Sequence, residues 1–120
     1  MRYMMLIYSK ELPEGVSPEE GEQIMAGHVA VMGAARQNGV FERAEPLTPS
    51  TTATTVRLEG DRVLLTDGPF AETKEQLAGY YILDCANLDE AIEWAARIPT
   101  GCKGGEGCIE IRALPGLPTR

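Results

Sequence analysis

The first segment, Arg2 to Ser9, carries apolar residues on both of its alternating sets: Tyr3, Met5 and Ile7 interleave with Met4, Leu6 and Tyr8. A strand patterned this way has both faces covered. Glu11 to Val16 breaks the pattern with proline and glycine, and Ser17-Pro18-Glu19-Glu20 then supplies an N-cap, a proline at the first helical position and a capping-box glutamate. Ile24, His28, Val31 and Ala35 recur at helical spacing, with Met25, Val29 and Met32 beside them, and Gly39 is a C-terminal stop. The spacing predicts a helix to about Asn38.

Val40 to Leu47 reads as a short extended segment ended by Pro46 and Pro49, and the threonine-rich stretch Thr51 to Leu58 favours β structure. Gly60-Asp61 makes a tight turn, and Arg62 to Thr66 returns as the second arm of a hairpin. Beyond Asp67 an acidic turn predicts a brief helix up to Leu77. Gly79 to Cys85 is a further apolar strand. Asn87-Leu88-Asp89-Glu90 caps a second amphipathic helix that carries Ala91, Ile92, Trp94, Ala95 and Ile98 and stops at Pro99, and Ile109 to Leu114 forms the last strand. The order is β-α-β, a hairpin, then β-α-β, which predicts a single domain over residues 1–120 of the α+β class, with a ferredoxin-like split βαβ and an inserted β-hairpin. Tyr80 and Ile82 alternate with Tyr81 and Leu83, so both faces of a central strand carry large apolar groups. Two helices cover one face; the other predicts sheet-to-sheet packing in a homodimer.

Composition narrows the function classes. The chain has 120 residues, 43% of them hydrophobic, and a net charge of -7. Its basic residues are scattered, so direct nucleic-acid binding is disfavoured. No apolar run approaches the roughly 20 residues needed to span a bilayer, and the N-terminal segment is too short for a signal-peptide core, so the expected location is the cytoplasm, away from the membrane. Cys85, Cys102 and Cys108 are read as reduced thiols, with Cys102 and Cys108 able to approach under oxidation across the Lys103 to Gly107 loop. A zinc site would need these three and His28 to converge, and it is rejected. Gly-x-Gly-x-x-Gly, P-loop, Gly-x-Ser-x-Gly and His-Glu-x-x-His motifs are absent from the chain, and no cofactor is expected.

Candidate chemistry centres on His28 and on the run Asp67-Gly68-Pro69-Phe70-Ala71-Glu72-Thr73-Lys74-Glu75. His28, the chain's one histidine, lies within the apolar stripe of the first helix, where it is either a hydrogen-bonded core residue or a general acid/base titrating near neutrality. In the run, Gly68 permits an unusual backbone geometry, Pro69 stiffens it, and Phe70 offers a large apolar anchor and ligand contact. Asp67 either caps this turn or joins His28 in acid-base catalysis on a small organic molecule. Glu110 and Arg112 share one face of the last strand, opposite Ile109, Ile111 and Ala113; facing the dimer side, they would contact a ligand or form a salt bridge.

The Asp67 run, together with Ala53-Thr54-Thr55-Val56-Arg57 and Leu77-Ala78-Gly79-Tyr80-Tyr81-Ile82, resembles the DGPF-domain branch of the YCII-related family along nearly the whole chain. The resemblance implies a dimeric α+β barrel and leaves the activity unassigned. It also implies an association with extracytoplasmic-function sigma factors through protein contacts, which is the alternative, non-enzymatic role of an accessory or regulatory protein. Smaller YCII relatives resemble carriers of a helix-borne histidine partnered by the aspartate of an Asp-Pro pair at the end of the second helix. This chain reads Ile98-Pro99 there, so a dyad would recruit another carboxylate. Related sequences resemble Glu-Val-Arg-Pro at the last strand, where this chain has Ala113 after Arg112.

Overall fold

The computed structural model describes residues 1–12, 15–100 and 106–118. In chain order its elements are β1 (Arg2–Ser9), α1 (Pro18–Gln37), β2 (Phe41–Pro46), β3 (Thr54–Glu59), β4 (Arg62–Asp67), β5 (Gln76–Asp84), α2 (Leu88–Ala95) and β6 (Gly107–Leu114), with a short 3-10 turn at Ser50–Thr52. The strands β2, β5, β1 and β6 form an antiparallel sheet in that order, and β3 and β4 form a separate hairpin. The architecture is α+β and compatible with a ferredoxin-like arrangement.

Local chemistry sets the helix ends. Ser17 Oγ accepts from the Glu20 N–H at 3.2 Å and donates to Glu20 Oε1 at 3.1 Å, which satisfies one of the free amides of the first turn. Gly39, at φ 73°, ends α1 in the left-handed region, and the Val40 N–H donates to the Ala35 carbonyl at 3.0 Å. Asn87 caps α2 by accepting from the Glu90 N–H at 3.0 Å. After Ala95 the chain tightens: the Arg97 and Ile98 amides donate to the Trp94 and Ala95 carbonyls, and Ile98 stays buried.

Strand alternation builds the core. In register, Tyr3 pairs with Leu83, Met5 with Tyr81 and Ile7 with Gly79, and this set points beneath the helices. Val31 and Ala35 of α1 and Ala91, Trp94 and Ala95 of α2 close over it, and Ile109 and Ile111 of β6 extend it. Burying a side chain such as Leu83 contributes about 1.5–3 kcal/mol, and truncating it to alanine would cost about 2–5 kcal/mol.

The opposite sheet face has no second layer among the described residues. Met4, Leu6, Tyr8, Tyr80 and Ile82 lie there half-exposed. The hairpin also stands away from the core. Val56 pairs with Leu65 and Leu58 with Val63, so these four aliphatic side chains share one face, and they are 58%, 68%, 74% and 60% exposed respectively. Accordingly the radius of gyration is 16.3 Å, against about 14 Å for a compact chain of this length, and the extents are 48 × 47 × 18 Å.

Two expectations change. The helix predicted up to Leu77 does not form: Thr73 Oγ1 donates to the Glu75 carbonyl at 2.6 Å, and Gln76 Nε2 donates to the Ala71 and Thr73 carbonyls at 3.2 and 3.3 Å. Side chains thus take carbonyls that a helix would have used, and β5 begins at Gln76 by pairing with Ser9. Phe70 is not an anchor within the chain, because its ring is 79% exposed. The bend is held instead by Gly68 at φ 98°, whose N–H donates to the Ala53 carbonyl at 2.7 Å and whose carbonyl accepts from Thr55 Oγ1 at 2.8 Å. Cys85 is buried and Cys108 exposed, both as free thiols, while Cys102 and its proposed approach to Cys108 lie outside the described residues.

Candidate functional site

A slip in the central sheet opens the site. Ile7 faces Gly79 but Tyr8 faces Leu77, so Ala78 has no opposite residue on β1 and β5 carries a bulge. The end of β2 stays fastened there, since the Leu47 N–H donates to the Ala78 carbonyl at 2.8 Å. Two glycines allow the walls to close in. A Cβ on Gly79 would lie 2.7 Å from the Glu45 carbonyl oxygen, and a Cβ on Gly27 would lie 2.8 Å from Pro99 Cγ, so α1 rests on the segment that follows α2. The result is a cavity of about 300 Å³ between Ile24, Met25, His28 and Met32 of α1, the end of β2, the bulged part of β5, and Pro99 with Thr100.

The polar centre of this cavity is a pair. His28 Nδ1 lies 2.7 Å from the Tyr81 hydroxyl oxygen, with the ring centroids 5.8 Å apart and the planes tilted by 31°. Burial lowers the His28 pKa from its ordinary value and pushes that of Tyr81 up to about 12, so both groups are held neutral near pH 7. A neutral tyrosine can donate to Nδ1, which leaves the proton on Nε2; alternatively Nδ1–H donates to the phenol oxygen, which leaves Nε2 a free acceptor. No other protein partner engages Nε2 or the Tyr81 hydroxyl among the described residues. At Nε2 the pair can therefore offer a ligand either a donor or an acceptor by exchanging tautomers.

The remaining candidates lie elsewhere. Asp67 lines a separate polar depression with Glu11, Ser50, Glu72, Thr73 and Lys74, and within one chain it does not share the His28 cavity. The residue that meets His28 is Tyr81. Glu110 and Arg112 stand on the open sheet face, exposed, 3.8 Å apart, with Tyr8 Oη 3.5 Å from Glu110. No cluster of three or more His, Cys, Asp or Glu side chains suited to a metal ion occurs among the described residues. The Cys85 thiol is pushed up to about 11, first by burial and then by Glu90, which leaves it a poor nucleophile. Tyr81 was not among the site residues expected from the sequence, yet a signal for it exists. Alternation puts it on the same face as Leu83, under the helices, and a buried tyrosine needs a partner for its hydroxyl. The helix stripe offers one such partner, His28.

Comparison with known proteins gives the family. The model of the YCII-related domain matches residues 1–114. An uncharacterized protein of Rhizobium meliloti (strain 1021) is 38% identical over 115 residues, covering 95% of this chain and 92% of that protein. With a family match and a relative that both run nearly end to end, the chain belongs to the YCII-related family.

Proposed function

We propose that this protein is a homodimer that binds a small organic molecule in the cavity beside α1 and that the His28–Tyr81 pair makes the polar contact with it and moves protons to or from it. The observation that carries the reading is a hydrogen-bonded imidazole and phenol in the wall of a largely apolar cavity. Ligand sites have this composition, and an imidazole kept unprotonated is ready to act as a base. Asp67, Phe70, Glu110 and Arg112 belong to this site only if a second chain brings them to it.

The dimer reading is supported by the open sheet face. Its register sets Arg43, Ile82, Met4 and Arg112 in one row and Glu45, Tyr80, Leu6 and Glu110 in the next. A two-fold axis across the strands would lay each arginine row on the partner's glutamate row and the apolar centres on each other. That packing would complete a dimeric α+β barrel.

A fragment screen by thermal shift tests the ligand reading. Compounds that stabilise the wild type should lose that effect in His28→Ala and Tyr81→Phe but keep it in Asp67→Asn. Equal responses in all four proteins would refute it.

A second reading is favoured by the exposed aliphatic face of the β3–β4 hairpin. It suits an accessory protein that holds a protein partner, such as an extracytoplasmic-function sigma factor, by contact and without chemistry.

A further inference from the structure

Resting on the reading that the cavity beside α1 is a binding site, we infer its ligand class: an uncharged, single-ring molecule with a short substituent that carries one hydroxyl or carbonyl oxygen, held by the His28–Tyr81 pair. The size follows from the volume. About 300 Å³ is the small end of ligand cavities, which suits one ring with a short substituent.

The charge follows from the walls. Among the described residues no lysine or arginine lines the cavity, and Glu45, which borders it on β2, turns its side chain by register to the open sheet face and to water. An anion would leave its hydration shell, meet no cation among the described lining residues, and approach a chain of net charge -7. A cation would have to give up water for Ile7, Ile24, Met32 and Pro99, with no carboxylate turned toward it among the described lining residues. The ring follows from the neighbours: Met25 and Met32 present adaptable thioethers, which favour aromatic edges. The single oxygen follows from the pair: in either tautomer it keeps one donor and one acceptor free, Nε2–H with a phenol lone pair or the phenol O–H with the Nε2 lone pair, so one hydroxyl or carbonyl oxygen is matched.

Four probes of one ring size separate these terms: benzyl alcohol, toluene, benzoate and benzylamine, titrated at pH 7.5 into the intact protein and followed by the backbone amide NMR signals of His28, Ala78 and Gly79. Benzyl alcohol should bind best, at least about tenfold tighter than benzoate or benzylamine. Tyr81→Phe should remove most of its advantage over toluene, about five- to tenfold, while toluene binds as before. If Tyr81→Phe does not fold, His28→Gln supplies the same comparison.

Preferential binding of benzoate or benzylamine would overturn the ligand class alone. Equal affinity for toluene and benzyl alcohol in the wild type would overturn the role given to the pair. Saturation by none of the four at these signals would overturn the binding reading itself.

Discussion

Replacing Gly27 by alanine sets two effects of opposite sign against each other, and a second glycine in the same helix isolates one of them. Gly27 and Gly33 both lie within α1, and a Cβ on Gly33 would meet nothing within 4 Å. Gly33→Ala should therefore stabilise the fold by about 0.5–1 kcal/mol through backbone entropy. Gly27→Ala carries the same gain, but its Cβ would lie 2.8 Å from Pro99 Cγ, where ordinary contact begins at 3.4 Å. The proline ring is tied to the backbone at both ends, so the helix or the cavity wall must yield by about 0.6 Å, the difference of those two distances. Overpacking of this kind costs about 1–3 kcal/mol. At about 4 °C per kcal/mol for a chain of this size, Gly33→Ala should melt about 2–4 °C above the wild type and Gly27→Ala about 4–12 °C below Gly33→Ala. The assay is thermal unfolding by circular dichroism at one fixed protein concentration, because an associating protein melts at a concentration-dependent temperature. The unfolded-state contribution of glycine cancels between the two variants. Melting temperatures within 2 °C of each other would refute the claim that α1 rests on Pro99 and that this contact shapes the cavity.

Light scattering with size exclusion should give twice the 13.0 kDa chain mass at micromolar concentration, and a stable, well-folded monomer would remove the sheet-to-sheet packing. His28 titrates near 6.5 when unfolded and lower when folded, so between those two values the unfolded chain binds the extra proton. Stability should thus be unaffected by this group above pH about 7 and should fall as the pH drops below about 6.5; His28→Gln should lose less melting temperature than the wild type between pH 7.5 and 5.5, and parallel curves would contradict the burial of the imidazole. Leu58→Ser with Leu65→Ser changes two exposed side chains on the hairpin, so melting temperature and dimer mass should both hold; dissociation would instead make the hairpin part of the dimer contact.

Much of the chain was legible because its signals are local. The Ser17 and Asn87 caps, the stop at Gly39, the two-residue turn at Gly60-Asp61 and the alternation in β1 and β5 each depend on residues within a turn or two of one another. The same alternation announced an apolar sheet face opposite the helices. The bend after Asp67 was less legible, because its path rests on hydrogen bonds from Thr73 and Gln76 that compete with helix formation on equal terms until β1 offers Ser9 as a pairing partner.

His28 could be singled out from sequence by type and by its place on the helix stripe, but its partner could not, since 53 residues separate it from Tyr81. Asp67 looked available in the sequence as well; within one chain the tertiary structure sets Tyr81 beside His28 and Asp67 in a separate depression, with the bulge at Ala78 and the close approaches of Gly27 to Pro99 and of Gly79 to Glu45 shaping the walls around the pair. A residue's chemistry is written in its side chain and its local pattern in its neighbours, whereas the identity of the group 2.7 Å away depends on how separately formed elements pack.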